Sequence, residues 1–140
     1  MRPTPYLFFN GACFEAMSLY AEVLGGEVMF VMRNGDARRP EDRMPGPDDA
    51  VMNMAIKIDG SVMMGSDMPE GQEERPQGFR LQLEASSRDE FDRLHDALRA
   101  EARAVAMPAG ETFWAERFAM FTDRFGTPWM LNFTGSKGSG

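Results

Sequence analysis

The side chains best suited to chemistry lie on the segment Phe79–Ala85, in which apolar and polar residues alternate. This alternation predicts a β-strand that turns Leu81 and Leu83 toward a covering helix and Gln82 and Glu84 toward the other face. A carboxylate held in a cleft can serve as a general base when its surroundings shift its proton affinity. Glu84 is therefore the candidate catalytic residue of the chain.

Structural roles are also open for each titratable candidate, and we favour them. Glu84 could be bridged by solvent or paired with Arg80, which shares its face of the predicted strand. His95, the one histidine, follows Phe91 by four positions on a predicted helix and is expected on the sheet-facing or flanking side. Cys13, the one cysteine, begins another predicted helix, whose dipole could lower the thiol pKa, but no base can be placed beside it. A Ser-His-Asp arrangement would require His95.

Composition and sequence patterns argue against nucleic acid, a disulfide and a membrane span. A net charge of −7 disfavours a phosphate-binding surface, so we expect no nucleic acid. A single cysteine excludes an intrachain disulfide and suits a reducing cytoplasm. No apolar run reaches the roughly 18–20 residues of a membrane span, and no signal-peptide pattern opens the chain. The 13 methionines would suit an irregular apolar pocket, although ordinary core packing is the simpler interpretation.

The first half of the chain predicts a strand, a helix and three further strands. Asn10 could cap the helix, and Gly25-Gly26 could end it. Residues 33–50 are polar and rich in Pro, Gly and Asp, which predicts a long surface loop that is a lid, a partner contact or a disordered connector. The strands are predicted at 5–9, 27–32, 51–58 and 61–65, with a hairpin turn at Asp59-Gly60.

The second half predicts the same plan after a polar linker, Asp67–Gln77. Ser87 and Glu90 form a capping-box pattern at the start of its helix. The strands are predicted at 79–85, 103–107, 117–122 and 128–133. We therefore expect one domain over residues 1–134, with modules at 1–67 and 78–134, and a flexible tail at 135–140.

An internal repeat relates the two halves. A shift of 77 residues superimposes the helices, with Asn10 on Ser87 and Phe14 on Phe91. A shift of 66 superimposes the hairpins, with Gly60 on Gly126, Met52 on Phe118, Met54 on Met120 and Met64 on Met130. Two βαβββ modules predict an α+β fold, with a curved eight-stranded sheet whose outer face carries the helices and whose inner face is a cleft.

A resemblance to a known superfamily is carried by five segments together: Pro5–Gly11, Glu15-Ala16, Met64–Asp67, Glu111–Trp114 and Asp123–Trp129. Over residues 1–134 the chain resembles the vicinal-oxygen-chelate superfamily, also called the glyoxalase/bleomycin resistance superfamily. It looks most like the PhnB-like branch, which is often labelled as similar to a 3-demethylubiquinone methyltransferase. The resemblance implies paired βαβββ modules, usually a homodimer, and in the enzymes a divalent metal in the cleft.

The resemblance also implies where metal ligands would lie, and this chain lacks most of them. The carboxylate expected on the last strand of each module is replaced by Met64 and by Met130. The ligand expected on the first strand falls at Pro5 or Tyr6 in one module and near Arg80 or Gln82 in the other. Of these side chains only Gln82 is a plausible donor to a hard or borderline divalent ion. We therefore expect no metal and no other cofactor.

The predicted cleft is mostly apolar with a few fixed polar groups, which suits a small organic ligand. By these positional matches its lining is expected to include Asn53, Met64, Ser66, Gln82, Trp114, Arg117 and Met130. The sequence therefore favours a cytoplasmic, homodimeric small-molecule binding protein without the usual metal site. The alternative is a superfamily lyase, isomerase or dioxygenase with an altered metal site. A methyltransferase is disfavoured, because no glycine-rich motif for a nucleoside cofactor is present.

Overall fold

The helices and strands follow in the order that the sequence predicts. A computed structural model describes residues 1–72 and 74–138. It divides into two units, Met1–Glu74 and Arg75–Gly140. The first contains β1 (Tyr6–Phe9), α1 (Cys13–Val23), β2 (Glu27–Arg33), β3 (Val51–Ile58) and β4 (Ser61–Asp67). The second contains β5 (Leu81–Glu84), α2 (Arg88–Arg99), β6 (Ala104–Gly110), β7 (Arg117–Thr122) and β8 (Pro128–Phe133).

Each unit contains one four-stranded sheet, and the two sheets have the same topology. The strand orders are β1-β4-β3-β2 and β5-β8-β7-β6. In both, the first strand pairs in parallel with the last strand of its module, and the other pairs are antiparallel. The α+β class and the two βαβββ modules are therefore confirmed.

Each helix covers one face of its own sheet. Phe91, Leu94 and Leu98 of α2 are buried, as the apolar spacing predicts. In the first unit, α1 packs closely against β4 because Gly65 has no side chain. A Cβ atom at this glycine would lie 3.2 Å from Cys13 Sγ.

The two helices are capped differently. Ser87 caps α2 as predicted, since its Oγ accepts a hydrogen bond of 3.0 Å from the backbone N–H of Glu90. The expected cap by Asn10 is wrong, because Ala12 occupies the capping position of α1. The side chain that serves this helix end comes from β4. Asp67 Oδ1 accepts a hydrogen bond of 3.0 Å from the backbone N–H of Cys13.

The long loop after β2 is organised around one asparagine. Asn34 is 2% exposed, its Nδ2 donates to the carbonyl oxygen of Met44 at 2.8 Å, and its Oδ1 accepts from the Met44 N–H at 2.9 Å. The same Nδ2 lies 3.3 Å from the carbonyl oxygens of Gly46 and Pro47. These bonds tie the loop back on itself, so it is not simply a disordered connector.

Two strands of the second module and the predicted tail deviate in detail from expectation. Strand β5 is shorter than predicted and leaves Phe79 58% exposed, whereas β6 runs on to Gly110. In the predicted tail, Gly135–Lys137 form one 3₁₀ turn, and residues 139 and 140 lie outside the described residues. The flexibility of the tail stays a prediction. Within the described residues, no helix has the length and apolarity needed to cross a membrane.

Candidate functional site

Side chains on each sheet divide between the face that carries the helix and the opposite face, here called the helix-free face. In the first unit Gly65 points toward α1, so its neighbours on β4, Met64 and Ser66, point to the helix-free face. Tyr6 pairs directly with Met64 and shares this face. Its hydroxyl donates to Asn53 Oδ1 at 3.3 Å, which places Asn53 on this face as well.

The second unit presents its polar candidates in the same way. Trp129 and Leu131 of β8 are buried, 0% and 1% exposed, as expected of side chains beneath α2. Met130 therefore lies on the helix-free face, and Gln82 of β5 is its direct partner in the parallel pair. The predicted alternation of β5 agrees with its burial, because Leu81 and Leu83 are half-buried and Gln82 and Glu84 are exposed.

The four side chains at the positions where the resemblance implies metal ligands do not fit a divalent metal. They are Tyr6 beside Met64 in one sheet and Gln82 beside Met130 in the other. Two thioethers, a phenol and one amide offer a single good oxygen donor to a hard or borderline ion. Over residues 1–72 and 74–138, no three His, Cys, Asp or Glu side chains come together as a possible metal cluster.

Glu84 is held by neutral donors. Its Oε1 accepts a hydrogen bond of 2.8 Å from Asn132 Nδ2, and its Oε2 accepts from the N–H and hydroxyl of Thr134, both at 3.2 Å. Arg80 is engaged elsewhere, since its Nη1 donates to the carbonyl oxygens of Phe121 and Trp129 at 3.0 and 3.4 Å. The carboxylate therefore ties β5 to the end of β8, which favours a structural role over catalysis.

Arg117 was expected to line the cleft, but it lies on the face of the sheet that α2 covers. It pairs with Phe133 and turns toward α2, with its Cζ 5.8 Å from the ring centre of Phe91. The cause is a one-residue difference between the hairpins. Met64 and Met130 are 66 positions apart, but their partners on the neighbouring strands, Ala55 and Met120, are 65 apart. A slip of one residue moves every side chain of a strand to the other face.

The same one-residue difference makes two matches of the repeat wrong. Phe118 corresponds to Asn53 rather than to Met52, and Met54 corresponds to Ala119 rather than to Met120. Asn53 and Arg117, expected on the same face, therefore lie on opposite faces. Phe118 is on the helix-free face, where Trp114 packs edge-on against it with ring centres 5.1 Å apart. Trp114 is thus a neighbour of the helix-free face, 41% exposed.

The helix-free face of the second unit holds a depression of about 500 Å³. Gln82 and Met130 line it, as predicted. Sequence reasoning missed Phe79, Met120 and Thr122 as lining residues, although strand alternation on β7, in the correct register, would have identified the last two. The lining residues are Pro76, Gln77, Gly78, Phe79, Arg80, Gln82, Met120, Thr122, Pro128 and Met130.

Cys13 and His95 take no part in this depression. Cys13 is fully buried, and burial, followed by the nearby Asp67 carboxylate, raises the pKa of its thiol far above the ordinary value. Such a thiol is not a nucleophile at neutral pH. His95 stacks on Phe91 and meets the ring of Phe121 edge-on, both with ring centres 5.9 Å apart. This sheet-facing position is the one expected from its helical spacing.

We expect the His95 imidazole to titrate below the ordinary histidine pKa of 6.5. Burial disfavours the charged form and lowers this pKa, Arg99 and Arg117 lower it further, and Asp96 opposes the shift. Because the unfolded chain then binds the proton more tightly, stability falls as the pH drops through 6.5 toward the folded pKa. NMR titration of the single imidazole measures this directly. Arg99→Gln should raise the midpoint, and a wild-type midpoint at or above 6.5 would contradict the assignment.

Comparisons with known proteins agree with this architecture. Protein YjdN of Escherichia coli is 36% identical over 138 residues, covering 92% of each chain. The crystal structure of PA1353 from Pseudomonas aeruginosa is 37% identical, with a TM-score of 0.84 over 95% of this chain and 97% of that one. The PhnB protein of Bacillus cereus shares the fold, with a TM-score of 0.80 at 22% identity over 95% and 99% of the two chains. The model of the Glyoxalase/Bleomycin resistance protein/Dioxygenase superfamily matches residues 4–131, so the chain belongs to this superfamily.

Proposed function

We propose that the protein binds a small organic molecule in the depression on the helix-free face of its second module, without a divalent metal. The observation that carries this proposal is the pairing of Gln82 with Met130 at the floor of a depression of about 500 Å³. This volume lies within the range of small-molecule sites.

The lining has the mixed character of a binding site. Phe79, Met120, Pro128 and Met130 supply apolar surface, and Gln82 supplies an amide. That amide makes no hydrogen bond to another group of the described residues, so both its donor and its acceptor are available to a ligand. Gln77, Arg80 and Thr122 add further polar groups to the lining. Apolar surface gives affinity by burial, and the polar groups orient a ligand by hydrogen bonding.

The charge of the lining further restricts which ligands are favoured. Arg80 is the one charged residue among those that line the depression, all of which are described. Its Nη1 is turned to backbone carbonyls, but the guanidinium keeps its positive charge. A neutral or anionic ligand is therefore favoured over a cationic one.

A thermal-shift screen over a library of small molecules tests the proposal. A ligand present at about 100 times its Kd stabilises the folded protein by about 2.7 kcal/mol, which corresponds to a rise in Tm of about 5–10 °C for a chain of this size. Gln82→Ala should lose most of this shift for a ligand that uses the amide. Gln72→Ala is the matched control, because it makes the same change at an exposed position of the first unit.

Metal analysis of protein purified without chelator separates this proposal from its alternative. Tight, stoichiometric metal that is lost in Gln82→Ala would overturn the metal-free binding protein. It would favour instead a superfamily enzyme whose altered metal site uses the one good oxygen donor of the four positions. The homodimer and the cytoplasmic setting expected from the sequence stay predictions.

A further inference from the structure

Three methionines form a continuous row across the helix-free face of the second sheet. Met107 of β6 is the partner of Met120 of β7, with a register shift on either side of it, and Met120 pairs directly with Met130 of β8. Gln82 of β5 continues the row as the partner of Met130. Met120, Met130 and Gln82 line the depression, and Met107 is 36% exposed at the outer end of the row.

The dimensions of the row suit a planar ring. Neighbouring strands lie about 4.8 Å apart, so the three methionines span about 10 Å. Two fused rings would cover most of this length, and a single ring would cover two neighbouring methionines. The flexible thioether side chains can adjust to a flat surface laid over them. Phe79, at the wall of the depression and 58% exposed, adds an aromatic edge or face to the same space.

The chemistry of sulfur distinguishes this floor from an aliphatic one. A thioether gains about 0.3–1.5 kcal/mol from contact with an aromatic ring at about 5 Å, beyond the burial of its surface. A methionine floor that served packing alone would lie beneath the helix, as Met54 of β3 does in the first unit. Met120 and Met130 instead line the depression, with Gln82 at the end of the row as the hydrogen-bonding group.

We infer that the ligand of this site carries an aromatic ring, which lies on the row Met107–Met120–Met130 while a polar substituent bonds to Gln82. This inference rests on the proposed function and adds the chemical class of the ligand. It makes the methionine row, rather than the apolar area alone, the source of selectivity.

Benzoate and cyclohexanecarboxylate form the matched pair of probes, because they differ in ring saturation and carry the same charge. With ¹³C-methyl-methionine NMR, benzoate should shift the methyl signals of Met120 and Met130 upfield through its ring current. It should bind about 2- to 10-fold more tightly than the saturated acid. The methyl group of Met29, 50% exposed in the first unit, is the control and should not move.

Leucine variants distinguish the effect of the thioether sulfur from the effect of side-chain size and apolarity. Met120→Leu, and the variant with leucine at all three positions, keep volume and apolarity and should equalise the two acids. Equal binding by wild type, or benzoate binding without upfield shifts in the row, would overturn the inference and leave the proposed function standing. Failure of every library ligand to depend on Gln82 would overturn the proposed function itself. The benzoate-induced shifts of the methionine methyl signals in the wild-type protein test the inference even if the triple variant fails to fold.

Discussion

Replacing Asp123 with alanine is expected to lower the free energy of unfolding by about 3–5 kcal/mol, the largest effect of any single change considered. Asp123 begins the turn between β7 and β8 and is 2% exposed. Its Oδ1 accepts hydrogen bonds of 2.9 Å from the backbone N–H groups of Phe125 and Thr127. Its Oδ2 accepts one of 2.8 Å from Nε1 of Trp129.

The size of this effect follows from burial. Trp129 is 0% exposed, so without the carboxylate its indole N–H has no solvent to replace the lost acceptor. A buried donor left without a partner costs about 1–3 kcal/mol, and hydrogen bonds to a charged group are the stronger ones. The two backbone donors lose their acceptor in the same substitution.

Asp123→Asn is the matched control. Its remaining carbonyl oxygen can accept from Phe125 and Thr127, but its amide group would face the indole N–H of Trp129, donor against donor. We expect an intermediate loss of about 2 kcal/mol, which Trp129→Phe should reduce in a double-mutant cycle. Urea denaturation measures both. A loss below about 1 kcal/mol for Asp123→Ala would contradict this account, since that is the scale of an exposed hydrogen bond.

This turn also positions residues that line the depression. The hydrogen bonds of Asp123 fix the β7–β8 hairpin, and the hairpin register sets Met120 beside Met130. In this chain the segment Asp123–Trp129, which carried much of the family resemblance, therefore acts through the fold. For the proposed ligand site, its contribution would be the placement of Met120 and Met130 on the two strands that the turn joins.

The order of elements could be predicted from the sequence because each signal is local. Apolar spacing, the Ser87–Glu90 cap and the turn glycines depend only on near neighbours, and the predicted bounds of β3, β7 and β8 agree with the structure. The cap of α1 could not be predicted in this way. Asp67, which accepts from the N–H of Cys13, is 54 positions away in sequence.

The lining of the depression could be predicted where alternation along one strand sufficed, but not where two strands had to be aligned. Gln82 and Met130 follow from alternation along β5 and β8. Arg117 was misplaced and Met120 missed because both depend on the register between strands. A hairpin match with a single shift of 66 is one residue off on β7. Since side chains alternate with a period of two, that error reverses the face.

The second large effect is expected at Asp67, where alanine should lower the free energy of unfolding by about 2–4 kcal/mol. The residue is 4% exposed and ends β4. Its Oδ1 accepts from the N–H of Cys13 at 3.0 Å, and its Oδ2 accepts from the N–H of Val51 at 2.9 Å. One carboxylate thus joins the end of β4 to the start of α1 and the start of β3.

The position of Asp67 at the N-terminus of α1 adds to the expected loss of stability, because a negative charge there is stabilised by the helix dipole. Asp67→Asn keeps the size of the side chain but can accept from only one of Cys13 and Val51 through its carbonyl oxygen. We therefore expect a smaller loss for asparagine than for alanine. Equal stability of Asp67→Ala and wild type in urea denaturation would contradict the bridging role.

A local measurement separates this role from general destabilisation. Cys13 is the single thiol of the chain and is fully buried at the helix start that Asp67 holds. In Asp67→Ala the first turn of α1 should open more often, so a thiol reagent should label Cys13 faster under native conditions. Asp123→Ala should accelerate this labelling only as far as it lowers global stability, because its hydrogen bonds lie in the other unit. If both variants, compared at equal global stability, label Cys13 at the same rate, Asp67 contributes only to global stability and the local bridge is wrong.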